Sequence, residues 1–245
     1  MNVVVTGANG AIGKAIVRHL AACGESVIPT CRTAAKCEAL RQEILEEFPH
    51  ASVTPVALDL SDSESVAAAA VEISRLGVKG LINNAGVMCR HYTVGEGGVE
   101  TTILVNYRNT RLLTELLLPH MPPGSAVVFT TSITRKAPEG EELPENVTER
   151  EFGQLKTYAL SKKLLTRYAA GLAAKGTGYR VNCADPGVVD SGMIKMHRWF
   201  DPIADLLFRP FIRRPATGAK AAVRALASPD SGYIYTPHRR SLLKV

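Results

Sequence analysis

A tyrosine and a lysine stand four residues apart in the stretch YALSK, as Tyr158 and Lys162. On the helix predicted there, this spacing places both side chains on one face, about one turn apart. A free tyrosine, with a pKa of about 10, is a poor base at neutral pH, and a nearby ammonium group favours the phenolate. Such a pair is usually no more than a solvated helix face. A catalytic interpretation therefore needs further groups.

Polar residues at the ends of predicted strands supply such groups. Ser132 ends AVVFTTS, where its hydroxyl could donate a hydrogen bond to a carbonyl or a developing alkoxide. The stretch NNAG, residues 83–86, ends another strand and suits a tight turn beside a ligand. Asn106 lies inside the following helix, where it could position a water molecule. Each group alone has an ordinary structural explanation, but ligands bind at the carboxyl ends of parallel strands, where these residues would meet.

The stretch TGANGAIG follows the apolar run VVV and leads into KAIVRHLA. Its glycines Gly7, Gly10 and Gly13 predict a turn from a strand into a helix N-terminus, where backbone N–H groups can hold a dinucleotide pyrophosphate. The turn alone specifies neither the nucleotide nor the reaction.

Alternating elements must position these groups. Apolar, β-branched stretches at 2–6, 25–31, 52–59, 80–83, 125–132 and 179–185 alternate with helical patterns near 11–23, 33–47, 62–75, 97–118 and 155–174, and a further helix is predicted near 215–227. This alternation predicts an α/β fold, a doubly wound parallel sheet with helices on both faces. With 245 residues and 46% apolar composition, we expect one domain, 1–245.

Two segments interrupt the alternation. Residues 136–154 are acidic and contain proline, which predicts a surface excursion. Residues 186–216 contain an apolar helical pattern, which we interpret as a substrate lid at about 188–215; a packed helix and a membrane-surface or oligomer patch are the alternatives. The apolar residues are Trp199, Phe200, Ile203, Leu206, Leu207 and Phe211.

Composition limits the partners. The net charge of +6 is mostly scattered and accompanies no nucleic-acid-binding motif, so no nucleic-acid partner is expected. Five cysteines without a CxxC pair predict free thiols in a reducing compartment, and no metal is predicted. No apolar run approaches the roughly 18 residues of a membrane span, and the chain starts with a core-type strand. We expect a cytoplasmic protein, with weak membrane-surface contact and homo-oligomerisation left open.

The combined motifs TGANGAIG, NNAG, Asn106, Ser132, YALSK and DPGVVDS resemble the short-chain dehydrogenase/reductase family over nearly the whole chain. NNAGVM, GGVETTILVN, LLTELLLP and DPGVVDSGM are most similar to the branch containing retinol dehydrogenases and related carbonyl reductases. The resemblance implies a Rossmann fold and hydride transfer between a nicotinamide and a carbonyl or alcohol.

The resemblance also implies residue roles. Tyr158 would be the general acid/base, Ser132 would hold the substrate oxygen, Lys162 would lower the tyrosine pKa and bind the nicotinamide ribose, and Asn106 would hold a water that links Lys162 to solvent. The implied cofactor-binding residues are Gly7, Asn9, Gly10, Ala11, Ile12, Gly13, Arg32, Asp59, Leu60, Asn83, Ala85, Gly86, Tyr158, Lys162, Pro186, Gly187, Val189 and Ser191. Asp59 and Leu60 would contact the adenine, and the residues from Pro186 onward would fix the carboxamide.

The second strand ends PTCRT, with Arg32 where proteins that prefer NAD usually have an acid. An arginine suits a ribose 2′-phosphate, so we predict NADP(H) in preference to NAD(H), with Lys14 and Thr33 as additional phosphate candidates. The apolar lid pattern favours a hydrophobic carbonyl or alcohol substrate.

Two positions depart from the family pattern. Asn109 replaces a usual glycine, which we expect to alter the helix surface used for subunit contact. The glycine spacing, with Ala11 at the usual middle position, is more typical of sugar-nucleotide epimerases and dehydratases. That alternative predicts a longer C-terminal part than the 83 residues after Lys162. A non-catalytic dinucleotide sensor would not need Ser132, Tyr158 and Lys162 together.

Overall fold

The computed structural model describes residues 2–136, 143–176, 178–189 and 214–243. These residues form an eight-stranded sheet in the order β3-β2-β1-β4-β5-β6-β7-β8. The strands are β1 (Asn2–Val5), β2 (Ser26–Cys31), β3 (Val56–Ala57), β4 (Val78–Asn83), β5 (Ala126–Thr130), β6 (Arg180–Ala184), β7 (Tyr233–Tyr235) and β8 (Arg240–Leu242). Neighbouring strands are parallel except β7 and β8, which are antiparallel. The predicted parallel sheet is confirmed.

Helices cover both faces of the sheet. They are α1 (Ala11–Ala22), α2 (Ala34–Glu47), α3 (Ser63–Arg75), α4 (Thr101–Ile103), α5 (Asn109–Leu117), α6 (Gln154–Ala174) and α7 (Pro215–Ala227). Successive strand side chains point to opposite faces. Val4 and Leu81 therefore pack with α3, α5 and α6, whereas Val5 and Ile82 pack with α1, α2 and α7. The doubly wound arrangement is confirmed.

Some elements differ from the sequence prediction. The third strand covers only Val56–Ala57 instead of 52–59, because Pro55 has no N–H to donate to a sheet ladder. Val53 forms only an isolated bridge to Val27. The strands β7 and β8 were not predicted, since three residues each are too short to establish a period.

The helix predicted near 97–118 is divided. A 3₁₀ turn at Glu96–Gly98 precedes α4, and a π-helical segment at Leu104–Arg108 joins α4 to α5. The Thr110 hydroxyl donates a hydrogen bond of 2.8 Å to the Val105 carbonyl, five residues earlier, which satisfies a carbonyl of the widened turn. π-Helical turns occur frequently at functional sites, and Asn106 lies in this one.

The excursion predicted at 136–154 is anchored where the structure describes it. Val147 is buried beside Leu160 and Leu164 of α6, and Glu145 accepts a hydrogen bond of 2.9 Å from Tyr107. Most of the predicted lid at 188–215, including its six apolar residues, lies outside the described residues. Within the described ranges, no helix has the length and apolar character needed to cross a membrane.

The sheet order reverses at β1, which lies between β2 and β4. The helices that follow β1 and β4 pack on opposite faces, so a crevice opens at the carboxyl ends of these two strands. The glycine-containing turn follows β1, and NNAG begins at the last residue of β4. The fold therefore brings these two motifs together.

Candidate active site

The turn after β1 requires glycine at two of its three glycine positions. Gly7 has φ of +62°, and a Cβ there would lie 2.9 Å from the Ala85 Cα. A Cβ on Gly13 would lie 2.3 Å from the Gly7 carbonyl oxygen and 2.8 Å from the Ala8 Cα. Gly10, by contrast, has φ of −74° and would bring a Cβ only to 3.3 Å from the Gly7 oxygen. Gly7 and Gly13 are therefore the sterically required positions, and Gly10 is permissive.

Helix α1 begins with its first N–H groups directed at this turn. Gly10 is its N-cap residue and has no side chain to cap them, and the first turn contains no acidic residue. Unpaired N–H groups and the positive end of the helix dipole make such a terminus suitable for a phosphate.

A cleft of about 480 Å³ extends from this helix terminus along the sheet edge. Most of the predicted cofactor residues line it: Gly7, Asn9, Gly10, Ala11, Ile12, Gly13, Arg32, Asp59, Leu60, Ala85 and Gly86. The cleft is also lined by residues that were not predicted, among them Cys31, Leu58, Val87 and Cys89. Metal-ligating side chains form no cluster of three or more in the part of the chain described.

The NNAG turn joins β4 to the turn after β1. The Thr6 hydroxyl accepts hydrogen bonds from the backbone N–H groups of Asn84 and Ala85, both at 2.9 Å. The Asn84 amide donates to the Thr6 carbonyl at 2.9 Å. Asn83 is different, because its side chain is buried and donates to the Thr114 hydroxyl at 3.0 Å. The structure therefore places Asn83 as a support between β4 and α5, outside the cleft lining.

The three candidates for binding the 2′-phosphate have different surroundings: Arg32 and Thr33 follow β2, and Lys14 lies in α1. Arg32 is exposed and lines the cleft. Lys14 is paired with Glu43 at 2.6 Å. The Thr33 hydroxyl accepts a hydrogen bond from the Lys36 N–H at 3.3 Å and caps α2. Arg32 is thus the candidate whose position in the cleft suits an anion.

The loop after β3 is held from two sides. The Asp59 carboxylate accepts hydrogen bonds from the N–H and hydroxyl of Ser61, at 2.9 and 2.7 Å. The Leu60 carbonyl accepts a hydrogen bond of 3.0 Å from the Asn109 side chain. Asn109 is buried, so the expectation that it alters the helix surface is wrong. Its side chain points inward and fixes the backbone of the proposed adenine-contacting loop.

Tyr158, Lys162 and Ser132 come together where β5 meets α6. The Lys162 ammonium lies 5.8 Å from the centroid of the Tyr158 ring and donates to the Thr130 carbonyl at 2.8 Å. Burial raises the pKa of Tyr158 to about 12, although a hydrogen bond with Ser132 lowers it. Burial also lowers the pKa of Lys162 to about 8. The predicted lowering of the tyrosine pKa is therefore opposed in this structure by a larger effect of burial.

Asn106 is fully buried, and its side-chain amide forms hydrogen bonds with other groups of the protein. Its Oδ1 accepts from the Val87 N–H at 2.8 Å, and its Nδ2 donates to the Val87 carbonyl at 2.9 Å and to the Ser161 hydroxyl at 3.0 Å. A Cβ on Gly86 would lie 3.3 Å from both the Asn106 Oδ1 and the Lys162 Nζ. Asn106 therefore holds the loop segment after NNAG next to Lys162, and its water-holding role stays a prediction.

The segment after β6 lies beside the start of α1. A Cβ on Gly218 of α7 would lie 2.8 Å from Val189, 3.3 Å from Pro186 and 3.8 Å from Ile12, so these side chains surround one point. Gly187 has φ of +74° and donates its N–H to the Asp185 carboxylate at 3.0 Å. Ser191 lies outside the described residues.

Comparison with known proteins identifies the family. The short chain dehydrogenase family model matches residues 1–199. The chain belongs to the short-chain dehydrogenase family. Human retinol dehydrogenase 12 is 33% identical to it over 251 residues, which cover 98% of this chain and 78% of the relative.

Solved structures agree with this family assignment at the level of the fold. A short-chain dehydrogenase from Sphingobium yanoikuyae in complex with NADPH has a TM-score of 0.73 at 20% identity, over 97% of this chain and 87% of that one. The angucycline C-6 ketoreductase LanV with bound NADP has a TM-score of 0.76 at 22% identity, over 96% and 93%. As a member of the short-chain dehydrogenase family, the chain is an oxidoreductase that acts on alcohol and carbonyl groups.

Sequence reasoning missed two residues of this short-chain dehydrogenase site. Asp185 is buried, and its charge raises the pKa of Tyr158. It stands in the DPG stretch that was quoted for the family resemblance, so an acid there was a visible signal. Ser161 is fully buried and joins Asn106 to the Tyr158 carbonyl, which accepts from its hydroxyl at 2.7 Å. No sequence signal distinguishes it from an ordinary helix serine.

Proposed function

We propose that the chain reduces the carbonyl group of an apolar small molecule with NADPH, and that Tyr158, Ser132, Lys162 and Asn106 form its catalytic group. One observation carries the proposal: a half-buried tyrosine, hydrogen-bonded with Ser132, lies one helical turn from a buried lysine at the sheet edge. A solvated helix face would not bury the lysine.

The residues of the cleft suit NADP(H). The turn at Gly7 and Gly13 leaves space beside unpaired helix N–H groups for the pyrophosphate, Asp59 and Leu60 would contact the adenine, and Arg32 would pair with the 2′-phosphate. Pro186, Gly187, Val189 and Ser191 would hold the carboxamide. The solved relatives with bound NADPH or NADP support this choice. NADPH supplies a hydride when it is bound.

The protonation of Tyr158 favours reduction. Ser132 would hold the carbonyl oxygen by a hydrogen bond, and the Tyr158 hydroxyl would donate its proton to that oxygen as negative charge develops. Because burial raises the tyrosine pKa to about 12, the phenol is protonated at neutral pH and can act as an acid. The Lys162 ammonium then stabilises the phenolate.

Three exposed apolar side chains support a hydrophobic substrate. Ile133 follows Ser132, Leu155 lies one turn before Tyr158, and Val188 follows Gly187; their exposed fractions are 57%, 57% and 41%. Each therefore adjoins a residue of the proposed catalytic or nicotinamide site. An apolar ligand would remove this surface from water, which is favourable at about 25 cal/mol per Å².

Turnover of a substrate panel tests the reaction. Anaerobic consumption of NADPH is measured by absorbance with apolar aldehydes and ketones, including a long-chain aldehyde and a steroid ketone. Tyr158→Phe should lower kcat by at least about 10²-fold, since general acid catalysis contributes about 10²–10⁴. Tyr233→Phe, on β7, is the matched control and should retain activity. Undiminished turnover by Tyr158→Phe would overturn the mechanism.

A charge reversal tests the cofactor preference. Arg32→Asp should raise the KM for NADPH far more than the KM for NADH, because only NADPH has the 2′-phosphate. Lys14→Met is the comparison, since Glu43 already pairs with Lys14, and it should change both constants little. Equal effects of Arg32→Asp on the two cofactors would refute the assignment.

A non-catalytic sensor is the alternative that the same assays separate. It would bind NADPH and oxidise it with no member of the panel. An epimerase- or dehydratase-like reaction is less well supported, because the family model that matches is that of short chain dehydrogenases. Light scattering tests homo-oligomerisation and vesicle sedimentation tests weak membrane-surface contact, both of which the sequence leaves open.

A further inference from the structure

Cys31 and Cys37 form a buried pair of thiols beside the cleft. Cys31 is the last residue of β2, and Cys37 lies in the first turn of α2. Their side chains share a hydrogen bond, and their exposed fractions are 2% and 1%. The Cys37 thiol also lies 3.2 Å from the Val56 carbonyl. The two sulfur atoms are therefore neighbours in the folded chain.

The pair is connected to two parts of the proposed nucleotide site. Cys31 lines the cleft, and its sulfur accepts a hydrogen bond from the backbone N–H of Asn9 in the glycine-containing turn. The residues between the cysteines include Arg32, the proposed 2′-phosphate ligand, and Thr33, the N-cap of α2. A change at the sulfur atoms would therefore act on the segment that recognises the phosphate.

We propose that Cys31 and Cys37 are a site of reversible oxidation, at which a hydroperoxide closes a disulfide in the nucleotide-free protein and the disulfide weakens NADPH binding. The second half of this proposal rests on the proposed placement of the cofactor, with its adenosine phosphate at Arg32. The first half depends only on the two thiols.

The surroundings assign different roles to the two cysteines. The hydrogen bonds from Cys37 and Asn9 and the positive charge of Lys36 lower the pKa of Cys31. The neighbouring Cys31 and burial raise the pKa of Cys37. Thiolates are the reactive form of cysteine. Cys31 also lines the cleft through which a hydroperoxide would arrive, whereas Cys37 is absent from the cleft lining. Cys31 is therefore the attacking sulfur, and Cys37 resolves the product.

The reaction is balanced with a hydroperoxide as oxidant. The Cys31 thiolate attacks the terminal peroxide oxygen, the O–O bond breaks, and the remaining oxygen leaves as an alcohol, or as water from hydrogen peroxide, after taking a proton. The Cys37 sulfur then attacks the Cys31 sulfenic acid, an S–S bond forms, and the hydroxyl leaves as water with the Cys37 proton. Two thiols are oxidised and one hydroperoxide is reduced.

The disulfide would move the start of α2. An S–S bond is about 2.05 Å long, much shorter than a hydrogen bond between thiols, so the Cys37 turn must approach β2. Oxidation would remove the thiol proton that Cys37 donates to the Val56 carbonyl. The hydrogen bond of 3.3 Å from the Lys36 N–H to the Thr33 hydroxyl would be displaced with that turn. Bound NADPH would cover Cys31 in the cleft and protect it from the hydroperoxide.

Peptide mapping detects the disulfide directly. Trypsin cuts after Arg32 and Lys36, so a Cys31–Cys37 disulfide joins peptide 19–32 to peptide 37–41. Cys23 also lies in the first peptide, and the experiment therefore uses a Cys23→Ser parent. The parent is treated with hydrogen peroxide with and without NADPH, free thiols are alkylated, and the linked peptides are quantified by mass spectrometry. We expect linkage without NADPH, strong protection by NADPH, and reversal by dithiothreitol.

Nucleotide affinity tests the consequence. The Kd for NADPH, measured by fluorescence titration, should rise at least tenfold after oxidation, which equals about 1.4 kcal/mol, and return after reduction. Cys37→Ala, or Cys37→Ser if the first variant does not fold, should retain the parent Kd and lose its response to peroxide.

Three results would overturn the proposal: no 31–37 linkage, a linkage that leaves the NADPH affinity unchanged, or an equal loss of affinity in the Cys37 variants. If the reduced parent fails to bind NADPH, the cofactor proposal itself is wrong, and the second half of this proposal is overturned with it. The linkage formed without NADPH, and its reversal by dithiothreitol, are independent of that result.

Discussion

Lys162 carries a charge where water cannot solvate it, so replacing it with methionine should stabilise the nucleotide-free protein at neutral pH. The residue is 2% exposed, and burial lowers its pKa from 10.5 to about 8. That difference corresponds to a cost of about 3 kcal/mol for the charged form in the folded state. Lys162→Met removes this cost and also removes the hydrogen bond to the Thr130 carbonyl, which contributes about 1 kcal/mol. The expected net stabilisation at pH 7 is about 2 kcal/mol.

The pH dependence separates the charge from the hydrogen bond. The folded-state pKa lies below the unfolded value, so the unfolded chain binds more protons between about pH 8 and pH 10.5. The wild-type penalty is complete below that window and is lost as the pH rises through it. The stability advantage of Lys162→Met should therefore fall by about 2.5 kcal/mol between pH 7 and pH 10. The hydrogen-bond contribution is common to both pH values and cancels.

Urea unfolding followed by far-UV circular dichroism measures this difference at pH 7, 8, 9 and 10. Lys220→Met is the control, because Lys220 is an exposed lysine on another helix, α7. Its difference from the wild type should stay constant. A Lys162→Met advantage that changes by less than about 0.5 kcal/mol over this range would refute the buried-charge argument.

Three further predictions concern the neighbouring residues. Gly13→Ala should abolish NADPH binding or destabilise the fold by more than about 2 kcal/mol, whereas the Gly10→Ala variant should bind NADPH normally. Of these two positions, only Gly13 would bring a Cβ within 3.0 Å of backbone atoms. Titration with NADPH and urea unfolding measure the two effects. Asp185→Asn removes a negative charge that raises the Tyr158 pKa, so the basic limb of the pH–kcat profile for reduction should move to lower pH; an unchanged profile would contradict this. Asn109→Ala leaves a loop carbonyl without its partner and should raise the Kd for NADPH with little change in kcat.

The sequence was sufficient to predict the helices and strands whose apolar residues form a clear pattern. It was insufficient to predict the short or interrupted elements. Strands such as β4 and β5 are apolar on both sides and bounded by turns, so their position follows from the residue pattern. Pro55 shortens β3 within an otherwise apolar stretch. The π-helical segment before Asn109 changes which face of the helix the following residues occupy, and no residue type in that stretch signals it. The inward position of Asn109 was therefore not predicted.

Some features of the candidate active site could likewise be predicted from the sequence, and others could not. The strand-end position of Ser132 and the four-residue spacing of Tyr158 and Lys162 on one helix predicted a common site at the sheet edge, because parallel strands bring their carboxyl ends together. The ion pair of Lys14 could not be predicted, since its partner Glu43 lies 29 residues away on another helix. The direction of the Tyr158 pKa could not be predicted either, because it depends on how deeply the completed fold buries the phenol.

The opposite pKa changes of Tyr158 and Lys162 bear on how the proposed acid is restored after each reduction. Once the phenol has donated its proton, a phenolate with a pKa of about 12 lies beside an ammonium with a pKa of about 8. The order of these pKa values favours transfer of a proton from the ammonium to the phenolate, and the attraction between the two charges opposes it. Burial is the largest cause of both changes, because it disfavours the anion of the tyrosine and the cation of the lysine, and the Asp185 charge adds to the change at the tyrosine. The same desolvation that makes Tyr158 a poor base therefore makes Lys162 a better proton donor, which agrees with the proposed carbonyl reduction.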